Sequence, residues 1–230
     1  MKSQSIQSLG DQSSQGNHRL WIALVILCAI GAAAATRRIV TLGTAPLVSS
    51  SEFAVLDAHF AAKARMTLVH IVPSLLFVLL VPLQFVASLR QRYPQFHRWT
   101  GRLIMSLGLV IGISALWLSA HPVGGAVEST ATVFFGCFFL VSLGKAWFHI
   151  RNRRVDLHRE WVTRMVAIAL GVATTRPIMA VFFATSRLTG LTPPQFFGPA
   201  MWLGFLSTCI AGEFWIQSQR SKIGRFRAAV

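Results

Sequence analysis

"MTLVHIVPSLLFVLLVPLQFVASL", residues 66–89, decides the fold. The run carries no formal charge. As a helix rising 1.5 Å per residue it would reach about 36 Å, enough to cross the ~30 Å hydrocarbon core of a bilayer. Its polar residues are not scattered. At about 100° per residue, His70, Ser74, Gln84 and Ser88 fall within roughly 40° of one line, with Phe77 and Val81 between them. The remaining surface is Leu, Val, Ile and Phe. One helix face is therefore expected to be polar along its length and to point into a bundle, because lipid cannot satisfy polar groups. Pro73 and Pro82 lie in the same run, each freeing a carbonyl one turn earlier.

The rest of the chain repeats this theme. Of 230 residues, 53% are hydrophobic and only 13% charged, about half the charged fraction of a soluble domain, and the mean hydropathy is +0.56. Apolar runs predict six spans, at 20–36, 66–89, 103–120, 131–148, 162–184 and 198–217. The expected fold is an all-α, polytopic six-transmembrane-helix bundle whose four-helix core is made by spans two to five. A Ser-, Gln- and Gly-rich segment, 1–19, reads as a disordered cytoplasmic tail. Residues 20–217 read as the transmembrane domain, and 218–230 as a basic cytoplasmic tail. A cleaved signal peptide competes for the first span, since "AAAA" at 32–35 near its end offers a small-residue cleavage site.

Charge placement gives an orientation. With the N-terminus inside, sixteen of the 22 Lys and Arg fall on inside segments and five outside, while Arg176 falls within a span. Both termini are then cytoplasmic, in a bacterial inner membrane. The net charge of +15 does not point to nucleic acid, because the basic residues border hydrocarbon spans and meet anionic lipid headgroups. Cys28, Cys137 and Cys209 sit in three different spans without CxxC spacing and read as apolar packing residues. Gly108 and Gly112 in span three, and Ala167, Gly171 and Thr174 in span five, predict close helix packing.

Two segments resemble each other. "HRWTGR" (97–102) and "HREWVTR" (158–164) each start His-Arg, carry a Trp and close on Arg, at the mouths of two long apolar segments on the same side. One reading is an interfacial anchor repeated by duplication, with Trp99 and Trp161 at headgroup level. A sharper one uses depth: His97 and His158 lie near the inner face, His70 and His121 near the outer. Neutral imidazoles on facing helices could ligate b-type haem, with His97 and His158 on one iron and Arg102, Arg164 and Arg176 as charge partners. Arg176, in "ATTRPIM", lies about 27 Å along its helix from His158. It needs a partner there: an anionic ligand, a lipid phosphate, or carbonyls freed by Pro177. Glu213 is expected to pair with the basic loops.

The order "LVHIVPSLLFVLLVPLQF", "LRQRYPQFHRWTGR", "LHREWVTRM" and "TTRP" resembles a bacterial family of predicted multi-pass membrane proteins catalogued as a domain of unknown function (family 2306). The likeness covers roughly residues 60–180. It implies a shared architecture and points at His70, Gln84, Arg90, Pro94, His97, Arg98, Gly101, Arg102, His158, Arg159, Trp161, Arg164 and Arg176. Where the family commonly reads Trp-Met, this chain has Trp161-Val162. The family implies no activity. Three functions therefore stand as expectations. The first is transmembrane electron transfer through haem b, with a quinone as partner. The second is transport or binding of a small anionic or lipid ligand by the polar stripe and Arg176. The third is a non-catalytic scaffold or assembly factor.

Overall fold

The structure is a computed structural model that describes the backbone over residues 2–44 and 53–228, and side chains over 18–44 and 56–222. The expected tail at 1–19 and the end of the basic tail at 218–230 fall largely on side chains outside the described residues. Every described element is an α-helix: α1 (Lys2–Gly43), α2 (Phe53–Ala61), α3 (Ala64–Gln84), α4 (Ala87–Arg92), α5 (Pro94–Leu118), α6 (Gly125–Arg151), α7 (Val155–Thr189) and α8 (Pro193–Ala228).

Five helical stretches are long and apolar enough to cross a membrane: His18–Gly43, Ala64–Gln84, Pro94–Leu118, Gly125–Arg151 and Val155–Thr189. They overlap the first five expected spans; most ends run two to nine residues further, while the second and third stop short at their C-terminal ends, at Gln84 and Leu118. The extension is physical, because an amphipathic helix keeps its backbone bonds in the headgroup zone after its apolar run stops. The sixth expected span lies in α8, which is long enough but diluted by Pro199, Ser207, Thr208 and Glu213, and does not reach the same hydropathy.

One boundary differs. The run 66–89 is not one helix: α3 stops at Gln84, and α4 begins at Ala87 after Val86 turns extended (φ −78°, ψ 108°). Pro82 supplies no N–H to the last turn, which tightens to Phe85 N–H→Pro82 O and Val86 N–H→Leu83 O bonds. Ser88 therefore leaves the helix that carries the rest of the polar stripe.

Neighbouring helices close a ring. α1 packs on α3 and α7, α3 on α5, α5 on α6 and α6 on α7, while α8 lies against α6 and α7. The main apolar cluster joins Phe77 and Val81 of α3, Ile104 of α5, Phe135, Phe139 and Leu143 of α6, and Met165, Val166, Ile168 and Leu170 of α7. Cys28 of α1 and Phe205 of α8 complete it. Burial of Phe77 and Val81 places the expected face of α3 inward.

Small residues set the closest approaches. A Cβ on Gly108 would stand 2.7 Å from Leu143 Cδ1, and one on Gly112 would strike Leu140, so the glycines of span three seat α5 on α6. Gly171 faces Phe205, and Gly204 faces Thr175, so those of span five seat α7 on α8. Each stripe meets its own neighbour. All three cysteines are free thiols.

A second apolar cluster caps one end of the bundle. Leu56 of α2, Met179 of α7, and Phe196, Phe197 and Ala200 of α8 are buried together, with Phe60, Ile178, Phe182 and Phe183 against them.

Candidate functional site

The polar stripe of α3 is a seam. His70 Nδ1–H donates to Ser114 Oγ at 2.9 Å, and the Ser114 hydroxyl donates in turn to the Val110 carbonyl at 2.7 Å. Gln84 Nε2 donates to Thr100 Oγ1 at 2.6 Å. The two ends of α3 are thus tied to the two ends of α5. Ser74 bonds back to the His70 carbonyl, and Ser88 is exposed on α4.

The two His-Arg-Trp clusters repeat their geometry as well as their letters. The Arg102 guanidinium lies 5.0 Å from the Trp99 ring centre, and Arg164 lies 4.7 Å from that of Trp161. Each pair is three residues apart, so consecutive turns stack them. The clusters then diverge. Arg164 forms two hydrogen bonds with Glu213 of α8, the partner anticipated for that carboxylate. Glu160 beside it takes Arg220 of α8. Arg102 stays exposed.

His97 and His158 lie within electrostatic reach of each other, and His149 within that of His158. His158 Nδ1–H donates to the Ala146 carbonyl at 2.8 Å. The buried Nδ1 atoms of His97 and His149 have no partner among the described residues. His121 lies elsewhere: its ring sits on Trp117 at 4.8 Å, and its carbonyl accepts from His59 Nε2–H. No bond or ring contact joins His121 to His70 among the described residues. Nor do three or more His, Cys, Asp or Glu side chains gather there to hold a metal ion.

Arg176 has the most distinctive surroundings. It opens onto a cavity of about 210 Å³ in the groove between α1 and α7, lined by Ala34, Arg37, Arg38, Leu56, Arg176, Met179, Ala180 and Phe183. Arg37 and Arg38 share Asp57 of α2: Arg37 donates to both carboxylate oxygens, and Arg38 bonds Oδ1. Phe60 lies 4.3 Å beneath the Arg38 guanidinium. Burial pushes the Asp57 carboxyl up, but the bonds and charges of Arg37 and Arg38 outweigh it and hold the group below the ordinary carboxylate range. Arg176 receives no such acceptor among the described residues; the charges that reach it are those of Arg38 and Arg37. Arg37 and Arg38 thus share the Asp57 carboxylate, and Arg176 stands beside them.

Sequence reasoning reached Arg176 but missed its neighbours. Arg37 and Arg38 counted only as outside charges, Asp57 not at all, and His149 fell just past the end of a span. The available signal was the rarity of acids: the chain has only seven Asp and Glu in all.

The family described as Predicted membrane protein (DUF2306) matches residues 67–216, well over half of the chain. No curated protein and no solved structure matches it.

Proposed function

The chain belongs to this family of predicted membrane proteins, and from that premise we propose that it binds a small anionic ligand in the cavity between α1 and α7. One observation carries the reading: Arg176, an intramembrane arginine with no acceptor among the described residues, faces the same cavity as Arg37 and Arg38. A charged side chain in a span is costly, so an arginine with no counter-ion among the described residues supports a reading in which one comes from outside the chain. Arginine also fits carboxylate and phosphate groups with two parallel bonds. A binding protein and a transporter both need such a site. The inward-facing seam of α3 supports either, and the basic loops add attraction for anionic headgroups. With positive charge concentrated on one side, the protein sits in a bacterial inner membrane with both termini in the cytoplasm.

The test is thermal unfolding of the purified chain in sulfate or phosphate, with ionic strength held constant by chloride. A ligand at a hundred times its Kd adds about 2.7 kcal/mol. Arg176→Gln should abolish that gain. A gain of equal size in the variant would sink the proposal.

A second reading keeps the histidines: electron transfer through b-type haem, with a quinone as partner. It is supported by the proximity of His97 and His158. It is also supported by the His158 Nδ1–H bond to Ala146, which leaves Nε2 as the ligand atom. His70 and His121 would be the ligands at the opposite end. Arg102 and Arg176 would be the charge partners, Arg164 being engaged by Glu213. The absorption spectrum of protein from haem-supplied cells, before and after dithionite, decides this. A sharpened Soret band lost in His97→Ala or His158→Ala supports it, and a colourless protein removes it.

A further inference from the structure

We infer that the uncovered face of α6, at the end of the bundle that carries the His-Arg-Trp clusters, holds one anionic phospholipid. Its phosphate sits between Lys145 and Arg151, and an acyl chain lies in the hollow over Gly144. The site is separate from the α1–α7 cavity and does not depend on what binds there.

The path of α8 opens this face. α8 starts against α6: Gly198 abuts Val127, Trp202 donates its indole N–H to the Val127 carbonyl, and its ring stacks on Phe134. It then crosses to α7, where Gly212 meets Ala167, Glu213 bonds Arg164 and Arg220 bonds Glu160. At about 100° per residue, Phe134, Val141 and Phe148 fall within roughly 40° of one line along α6. The stripe that begins under Trp202 is bare further along, where Val141 is 52% and Phe148 56% exposed.

The bare stretch is hollow. Val141, Gly144, Lys145 and Phe148 line an open groove of about 390 Å³, within the 300–1,000 Å³ usual for ligand sites. Gly144 makes the hollow, since a Cβ there would meet nothing within 4 Å. The other side of the same turns carries Ser142, Leu143, Ala146 and His149, all buried in the bundle. The groove therefore looks outward, where a bilayer supplies hydrocarbon.

Charge selects the head. Lys145 stands about 40° from Val141 on one side and Arg151 about 80° on the other, so two cations flank the groove. Lys145 lies six residues, about 9 Å, before the helix ends at Arg151. From there its aliphatic stem can lie on apolar surface while the ammonium reaches phosphate level. Both are exposed, and neither joins an ion pair among the described residues. Arg151 rests over the Trp147 ring at 5.9 Å, an aromatic suited to headgroup depth. A choline head would set a third cation beside these two; a net-negative phosphate head does not.

The purified full chain, delipidated in detergent, would be titrated with dioleoyl phosphatidylglycerol or dioleoyl phosphatidylcholine and read by native mass spectrometry. The expected result is one phosphatidylglycerol per chain, bound about five times tighter than phosphatidylcholine, the equivalent of the ~1 kcal/mol that one basic residue gains at an anionic surface. Lys145→Gln should bring the two lipids level. Gly144→Leu fills the hollow without striking a neighbour and should weaken both. Arg92→Gln, at an exposed position on α4, should change neither. Equal binding of the two lipids by the unaltered chain overturns the proposal. So does a loss in Arg92→Gln as large as that in Lys145→Gln, which would mean diffuse attraction to the basic end. Binding unchanged in Gly144→Leu overturns the groove. A dimer that retains no lipid and is lost in Gly144→Leu would put a second copy in the hollow instead.

Discussion

Asp57 shows how much one side chain can decide here. It is a carboxylate bonded to both Arg37 and Arg38, so under the proposed anion binding Asp57→Asn should raise anion affinity several-fold while loosening α2 from α1. Isothermal titration with phosphate or phosphatidic acid checks the first effect; unchanged or weaker binding would show that Asp57 orders the guanidiniums rather than competing for them. The pH dependence follows from the same geometry. Its carboxyl is held below the ordinary value of 3.8 by the two arginines. A depressed carboxylate contributes stability in full above its unfolded pKa, and that stability is lost as pH falls through the folded value. The α1–α2 junction should therefore hold down to about pH 4 and weaken only below it, with Asp57→Asn removing that acid limb of the melting curve.

Also at the residue scale, Arg164 and Glu213 join α7 to α8 through two hydrogen bonds. Glu213 is 43% exposed at its side chain, so screening limits the pair. A double-mutant cycle with Arg164→Gln and Glu213→Gln should give a coupling of about 1 kcal/mol that shrinks in high salt. A coupling near zero at low salt would mean that α8 is held by packing alone.

Between elements, the glycine contacts dominate. Gly112→Val would drive a side chain into Leu140 and should cost about 1–3 kcal/mol, read as a lower melting temperature in detergent. Leu140→Ala should recover part of that loss, because the obstruction is one flexible side chain. If the double variant melts no higher than Gly112→Val, the α5–α6 contact has been misplaced. The opposite sign is expected at the α6–α7 turn. Arg153 there adopts φ 58°, a left-handed backbone that costs a side-chain-bearing residue roughly 1–2 kcal/mol. Arg153→Gly should therefore be neutral to mildly stabilising, even after the entropy it adds to the unfolded chain.

At the scale of the whole molecule, α8 runs back along α7 and brings the C-terminus to the end of the bundle that holds the two His-Arg-Trp clusters. Single cysteines at Ser5 and Ser221, in a background with Cys28, Cys137 and Cys209 replaced, should both be shielded from a membrane-impermeant thiol reagent in whole cells. Both should react in inverted vesicles. Labelling of one from each side would mean that α8 does not complete a crossing.

The matched family segment begins at residue 67, so Arg176 lies inside it while Arg37, Arg38 and Asp57 lie outside. The cavity is assembled across that boundary.

Hydropathy and helical period, read along the chain, determined the solvent, the all-helical class, five spans to within three turns, and the inward face of α3. These are properties of a window of about twenty residues, and burial in lipid acts on such windows directly. The break after Gln84 was less legible, because Pro82 signals a disturbance without saying whether the helix kinks or ends. Glu213 could be paired with a basic partner because it falls at the end of the last span, beside the basic loops. Only the tertiary structure decided that α1 lies against α7, and with it that Arg37 and Arg38 stand beside Arg176. Those residues are some 140 positions apart, and their meeting depends on which helices become neighbours. That choice is made by glycines, aromatic rings and ion pairs contacting across the bundle, and no local pattern records it.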